Sequence, residues 1–184
     1  MLFRSEARLE QANLNYLVGN YEKAGSGYKE YVKLYPGSKD AEYAKYRQIA
    51  SNFNRFNSPD RDQTLTVDTT LLAKEYLNNQ KYTKYKKEVN EILDSALKNL
   101  LDAEIEVFET NLKLRNYEGA QRRLDYVKKK YLPEMSKVKS IIEDLESSLE
   151  LSKKKGKYVQ SYKKERKPIL EKWRKDRKST RLNS

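Results

Sequence analysis

The chain contains no histidine and no cysteine. Zinc sites built on those ligands, Ser-His triads, Cys-His dyads, disulfides and a lipid carried on a cysteine of this chain are therefore excluded. Glycine and proline are scarce, 6 and 4 in 184 residues, and they mark where a ladder of helices would turn: Gly19, Pro36-Gly37, Pro59, Gly119, Pro133, Gly156 and Pro168. Gly25 and Gly27 read instead as close-packing positions inside a helix, so there is no glycine-rich phosphate loop. No apolar run reaches the roughly 18 residues of a membrane span. Met1-Leu2-Phe3-Arg4 meets a charge too early for a signal peptide, and there is no lipid-attachment cysteine. Carboxylates are plentiful, but Glu22-Lys23, Lys29-Glu30 and Lys87-Glu88 place them beside lysines on outer helix faces, where solvation and weak pairing account for them. The chain reads as non-catalytic, with no metal and no cofactor.

What is present points to helices. Hydrophobic residues make up 37% of the chain and mean hydropathy is −1.02. That is thin for one large core but enough for stacked amphipathic helices. The 15 tyrosines argue against disorder, since unfolded chains are poor in aromatics. The net charge of +12 is a C-terminal property: Lys153–Ser184 holds 14 Lys/Arg against Glu165, Glu171 and Asp176, and the preceding 152 residues carry 25 basic and 24 acidic side chains. Two domains are expected on this basis, a repeat body over 1–152 and a basic tail over 153–184. Lys178–Ser184, KSTRLNS, resembles translated adapter sequence more than protein.

Two stretches repeat. NYEKAGSGYKEYVKLYP at Asn20–Pro36 and NYEGAQRRLDYVKKKYLP at Asn116–Pro133 share Asn-Tyr-Glu, an Ala (Ala24, Ala120), a large residue four later (Tyr28, Leu124), a Tyr-Val-Lys run and a Pro. This order resembles the second helix of a tetratricopeptide repeat, in which a small Ala permits close helix approach and a bulky neighbour fills the gap. Such repeats build binding surfaces rather than reaction centres.

Apolar spacing supplies the other helices. Glu6–Val18 carries Leu9, Ala12 and Tyr16 on one stripe, and Tyr21–Tyr35 is its partner. Ser38 or Asp40 is positioned to cap a third helix running to about Phe53, its inner side marked by Tyr43, Tyr46, Gln48-Ile49 and Phe53. Asn54–Gln63 is a polar loop. Thr64–Asn78 opens on a strand-like Thr-Leu-Thr-Val, but Leu65, Thr69, Leu72 and Tyr76 form a helical stripe and a lone strand would lack a partner. Thr83–Arg115 lacks Gly and Pro and predicts one helix of about 50 Å. Asn116–Tyr131 returns from it, and Met135, Val138, Ile141-Ile142, Leu145 and Leu149 mark another helix before Gly156. The expectation is an all-α, tetratricopeptide-like solenoid of seven or eight antiparallel helices, one of them unusually long.

The loop sequence Ser58–Gln63, followed by a helix and then the over-long helix returning through NYEGA, resembles the BamD family over about Glu6–Leu149. These are lipoproteins of the machinery that inserts β-barrels into bacterial outer membranes. The resemblance implies tetratricopeptide-like repeats, a place on the periplasmic face of the outer membrane, and protein partners: the periplasmic domains of the barrel-forming insertase and unfolded outer-membrane proteins. It also implies that the family's leader, lipidated cysteine and most of a first repeat are missing, so the chain is expected to be N-terminally truncated. Another periplasmic repeat adaptor of the Tol–Pal cell-division type, and a cytoplasmic nucleic-acid-associated factor using the basic tail, are the competing readings. The tail itself reads either as a solvated, flexible end or as a contact, for which Trp173 with Ile169 and Leu170 favours an anionic membrane surface or an acidic protein over duplex nucleic acid. Candidate partner-binding residues are Tyr43 and Tyr46, which read either as inter-helix packing with the hydroxyl reaching solvent or as the lining of a peptide groove, and Asp60, Arg61 and Asp62 in the charged loop. Arg61 leads among them, because a guanidinium grips a carboxylate with two prongs.

Overall fold

The computed structural model describes residues 2–135 and 138–159, and every regular element among them is helical. Seven helices succeed one another: α1 (Leu2–Leu17), α2 (Tyr21–Leu34), α3 (Ala41–Phe53), α4 (Thr64–Asn78), α5 (Lys86–Lys113), α6 (Tyr117–Tyr131) and α7 (Val138–Lys155). The chain is all-α, built from tetratricopeptide-like hairpins. None of the described helices is long and apolar enough to cross a membrane. Among the described residues, those up to 100 and those from 101 on form two compact units.

The first unit is held by two apolar clusters. In one, Ala12, Ala24, Tyr28, Tyr31 and Ala44 join α1, α2 and α3. Ala24 is fully buried, and a Cβ on Gly27 would lie 3.1 Å from Ala12 Cβ, so small residues on both helices let α1 and α2 approach closely. In the other, Ile49, Ala50, Ala73, Tyr76, Val89 and Ile92 join α3, α4 and the start of α5. Burial in the second unit falls on Leu101, Ile105, Phe108 and Leu112 of α5, on Ala120, Leu124, Val127 and Tyr131 of α6, and on Val138, Ile142, Leu145 and Leu149 of α7. Each set keeps helical spacing, as the sequence pattern requires.

α4 is helical throughout despite its β-branched opening. The hydroxyls of Thr69 and Thr70 donate to the carbonyls of Leu65 and Val67, both at 2.7 Å, so these buried threonines are satisfied within their own helix. Other boundaries differ from expectation. α1 starts at Leu2 rather than Glu6. Asp40 sits at the N-cap of α3 without a side-chain cap bond. Ser38 does not cap that helix either: its hydroxyl accepts from the Asp40 amide at 3.2 Å and pairs with the Tyr31 hydroxyl at 2.8 Å. The long helix is 28 residues, about 42 Å, rather than the whole of Thr83–Arg115. Its expected first residues are held outside it by Glu42, whose carboxylate accepts from the amides of Thr83 and Lys84, both at 2.6 Å, and from the Tyr76 hydroxyl at 2.7 Å. α7 ends at Lys155 and Gly156 follows with φ +60°. Tyr162, Ile169, Leu170 and Trp173 lie outside the described residues.

The repeated sequence produces a repeated joint. In the first hairpin the Gly19 amide donates to Tyr16 O (3.1 Å) and the Asn20 amide to Asn15 O (2.8 Å); in the second, Arg115 donates to Leu112 O (3.0 Å) and Asn116 to Asn111 O (2.8 Å). Both are Schellman closures. The same asparagine then opens the next helix, since Asn20 Oδ1 accepts from the Lys23 amide (3.4 Å) and Asn116 Oδ1 from the Gly119 amide (3.0 Å). Even the cap dihedrals agree, φ −82°, ψ 67° against φ −83°, ψ 73°. One position differs in kind. The left-handed residue is Gly19 (φ +78°) in one joint and Arg115 (φ +57°) in the other, and a side chain there is strained by about 1–2 kcal/mol.

Two predictions follow from these joints. Arg115→Gly raises the unfolding free energy by up to about 1 kcal/mol, and Gly19→Ala lowers it by about 1–2 kcal/mol, in urea titrations of the two variants. Burial pushes the Glu42 carboxyl upward, but its three hydrogen bonds prevail and hold it below its ordinary value of 4.5. A depressed acid stabilises the fold above its unfolded pKa and ceases to do so as pH falls through its folded one. Wild-type urea midpoints should therefore drop below about pH 4.5. Glu42→Gln should be weaker at pH 7 and decline less steeply on acidification.

Candidate protein-binding surface

α3 presents two different faces, because side chains nine positions apart on a helix point in opposite directions. On one face stand Tyr43, Tyr46 and Arg47. The guanidinium of Arg47 lies over the Tyr16 ring at 3.6 Å and 5.7 Å from the Tyr43 ring centre. Its Nε is buried without a hydrogen-bond partner. Burial works against the charge on Arg47, but the Tyr28 hydroxyl and the Tyr16 and Tyr43 rings outweigh it and hold the pKa above the ordinary arginine value. Tyr28 and Tyr43 both donate to Asn13 Oδ1, at 2.7 and 3.1 Å, and Asn54 Nδ2 donates to the Tyr16 hydroxyl at 3.1 Å. Tyr46 stacks flat on Tyr85, centroids 4.6 Å apart and planes 7° apart, and Tyr85 also leans on Tyr43 at 6.1 Å.

Tyr43 and Tyr46 are thus half-buried members of an aromatic cluster that surrounds one cation. Burial raises the hydroxyl pKa of Tyr16 and Tyr46, and carries that of Tyr28 to about 12. Each ring contributes area to packing and keeps a hydroxyl for hydrogen bonding. Arg47 was not among the residues expected here. Its place four after Tyr43, with Tyr46 beside it, is the local signal that could have found it.

The charged loop between α3 and α4 is tied down from within. Gln63 Nε2 donates to the carbonyls of Ser58 (2.8 Å) and Arg61 (3.0 Å), and its Oε1 accepts from Thr66 Oγ1 (3.0 Å) and Asn99 Nδ2 (2.7 Å). Asn99, buried on α5, also reaches Asn57 O at 3.2 Å. Phe56 is buried edge-on against Phe53, centroids 5.3 Å apart. Asp62 accepts from the Thr64 amide (3.3 Å) and hydroxyl (2.7 Å), so it serves the start of α4. Asp60 and Arg61 are exposed, and the Arg61 amide closes a turn onto Ser58 O at 3.0 Å. The structure brings Asp60, Arg61 and Asp62 together on one ordered loop and places Tyr43 and Tyr46 in a separate cluster.

A model of the outer membrane lipoprotein family YfiO matches residues 3–164. The chain belongs to that family. Comparison with curated proteins found no match, and comparison with solved structures found none. The BamD-type resemblance expected over Glu6–Leu149 is borne out, and the YfiO match extends it at both ends. Both the tyrosine–arginine cluster and the 54–63 loop lie inside the YfiO span.

Removing the carboxamide that organises the loop should loosen it. Gln63→Ala is expected to cost about 1–3 kcal/mol, the penalty for orphaning buried polar partners such as Asn99. It should also speed hydrogen exchange at the Arg61 amide while leaving amides in the middle of α2 unchanged.

Proposed function

We propose that this chain is a non-catalytic adaptor subunit of the machinery that assembles β-barrels into the outer membrane, acting at the periplasmic face of that membrane. The observation that carries this reading is the YfiO family match across residues 3–164. Hairpin repeats expose large surfaces to other proteins, and a chain without histidine or cysteine is poorly equipped for chemistry but well equipped for holding. Its partners are the folded periplasmic domains of the barrel-forming insertase and unfolded outer-membrane proteins in transit.

Within this reading, Arg61 on the 54–63 loop is the specific contact, flanked by Asp60 and Asp62. The loop's internal hydrogen bonds fix its backbone before binding, which limits the entropy lost on association. The exposed guanidinium suits a carboxylate on the partner. Tyr43 and Tyr46, beside Arg47, form the second contact, an aromatic wall for an extended substrate segment.

A pull-down with the purified periplasmic region of the insertase tests the first contact. Arg61→Glu should reduce retention at least about ten-fold, as expected for losing one well-placed charged pair, with an unchanged melting temperature. Retention equal to wild type would remove Arg61 from the interface.

A further inference from the structure

The two helix joints share a backbone but carry different side chains at their tips. The first reads Leu17-Val18-Gly19-Asn20 and the second Lys113-Leu114-Arg115-Asn116. Val18 and Leu114 hold the same place and are 77% and 74% exposed. In the second joint that apolar side chain is bracketed by two exposed cations, and Arg115 takes the positive-φ position that is glycine in the first. The end of α7 joins this tip. The Tyr117 hydroxyl donates to Ser152 O at 3.1 Å. The Ser152 hydroxyl accepts from the Val159 amide at 2.9 Å, which folds residues 156–159 back, and Lys113 Nζ lies 5.5 Å from the centre of the Tyr158 ring. One end of the second unit therefore gathers Lys113, Arg115, Lys153, Lys154, Lys155 and Lys157, all exposed. Residues 113–118 and 150–157 hold two carboxylates against them, Glu150 and Glu118, and Glu118 is taken by Arg122.

Cations in the last turn of a helix ordinarily answer its dipole, which accounts for Lys113 and for Lys153–Lys155. The dipole does not account for Arg115, which lies past the end of α5 in a conformation that strains a side chain and spares glycine. Strain of this kind persists where binding depends on the residue that bears it. Nor does a dipole call for an exposed leucine between two cations. These features together fit one partner. A leucine on a turn can enter the boundary between headgroups and acyl chains, while long basic side chains beside it keep their charges at the phosphates. A cluster of such residues is drawn to anionic lipid. An acidic protein would satisfy the cations but gives the protruding leucine no purpose. We propose that this end of the second unit docks on an anionic phospholipid surface, with Leu114 inserted and Arg115 and the neighbouring lysines on the headgroups. The contact needs no insertase, and it stands or falls independently of the Arg61 loop and the Tyr43–Tyr46 cluster.

The test uses the whole chain and vesicles of phosphatidylcholine, with and without a phosphatidylglycerol fraction of about one third. Because the chain has no cysteine, Leu114→Cys offers a single attachment point for a polarity-sensitive fluorophore, and Val18→Cys offers the matching control in the first joint. The probe at position 114 should shift to the blue and be quenched by spin-labelled lipid with the anionic vesicles only, and it should lose both responses as salt is raised. The probe at position 18 should show neither. Arg115→Gly should weaken vesicle affinity about five-fold, the loss of one basic residue at such a surface, while making the fold more stable. Binding and stability then move in opposite directions, which a folding defect cannot imitate. Absence of vesicle binding overturns the proposal, as does binding that leaves the probe at 114 unchanged, which would assign the contact to the basic residues beyond Val159. Equal responses at 18 and 114, or Arg115→Gly binding like wild type, also overturn it. So does soluble polyaspartate shielding the probe at 114 as fully as the vesicles do, which would make this end a site for an acidic protein.

Discussion

Asn20 and Asn116 each finish one helix and start the next. The amide of each completes the Schellman closure of the helix before it, and the side-chain oxygen caps the helix after it. Because one residue does both, a backbone closure and a side-chain cap together constrain the angle between the paired helices. The packing then has to suit that angle. Ala24 and Ala120, four residues on, are both fully buried where the second helix of each pair turns inward. Gly27 meets Ala12 across the first pair. The large residues Tyr28 and Leu124 follow one turn later and are also buried. Such a joint can be reused with different neighbours, and here it recurs with a tyrosine-rich interior in one unit and an aliphatic one in the other.

The tyrosines explain how so hydrophilic a chain retains a core. In the first unit Tyr28, Tyr31 and Tyr76 are buried as deeply as any leucine. Their hydroxyls end on Asn13, Ser38 and Glu42 respectively. Each ring thus delivers apolar area to the interior and a directed bond to a neighbouring helix or loop. Glu42 shows what this arrangement permits. A carboxylate on α3 gathers the Tyr76 hydroxyl and two backbone amides ahead of α5, clipping three segments together with one side chain.

Much of this was visible in the chain because the decisive signals are local. The Asn-Tyr-Glu openings, the alanines four residues on and the stripe Leu65, Thr69, Leu72, Tyr76 each express a constraint within one or two turns of helix. The all-α class, the two hairpins and α4 could therefore be read directly. The features that the local pattern does not reveal depend on residues far apart in sequence. Nothing near Gln63 announces that its carboxamide meets Asn99, nor does anything near Glu42 announce the amides of Thr83 and Lys84. The long helix starts later than its apolar spacing suggests for that reason: the spacing extends to Tyr85, but tertiary hydrogen bonds claim the segment first. Charge alone groups Asp62 with Arg61, while the fold uses Asp62 to start α4. The 54–63 loop is legible as exposed and charged, but the carboxamides that hold its shape are not.

Burial of the tyrosine hydroxyls also determines how the molecule meets its ionic surroundings. With neither imidazole nor thiol in the chain, none of its side chains has an ordinary pKa between those of the carboxylates and the phenols. Burial moves some phenols further out of reach, Tyr28 and Tyr131 to about 12. An acid whose folded pKa is raised lends stability below its unfolded value, near 10 for tyrosine, and withdraws it as pH climbs toward the folded one. The charge pattern is consequently almost constant from mildly acidic to mildly alkaline conditions. Electrostatic attachments made by this surface would keep their strength where an imidazole-bearing surface would switch, so ionic strength, rather than proton concentration, is the variable that adjusts them.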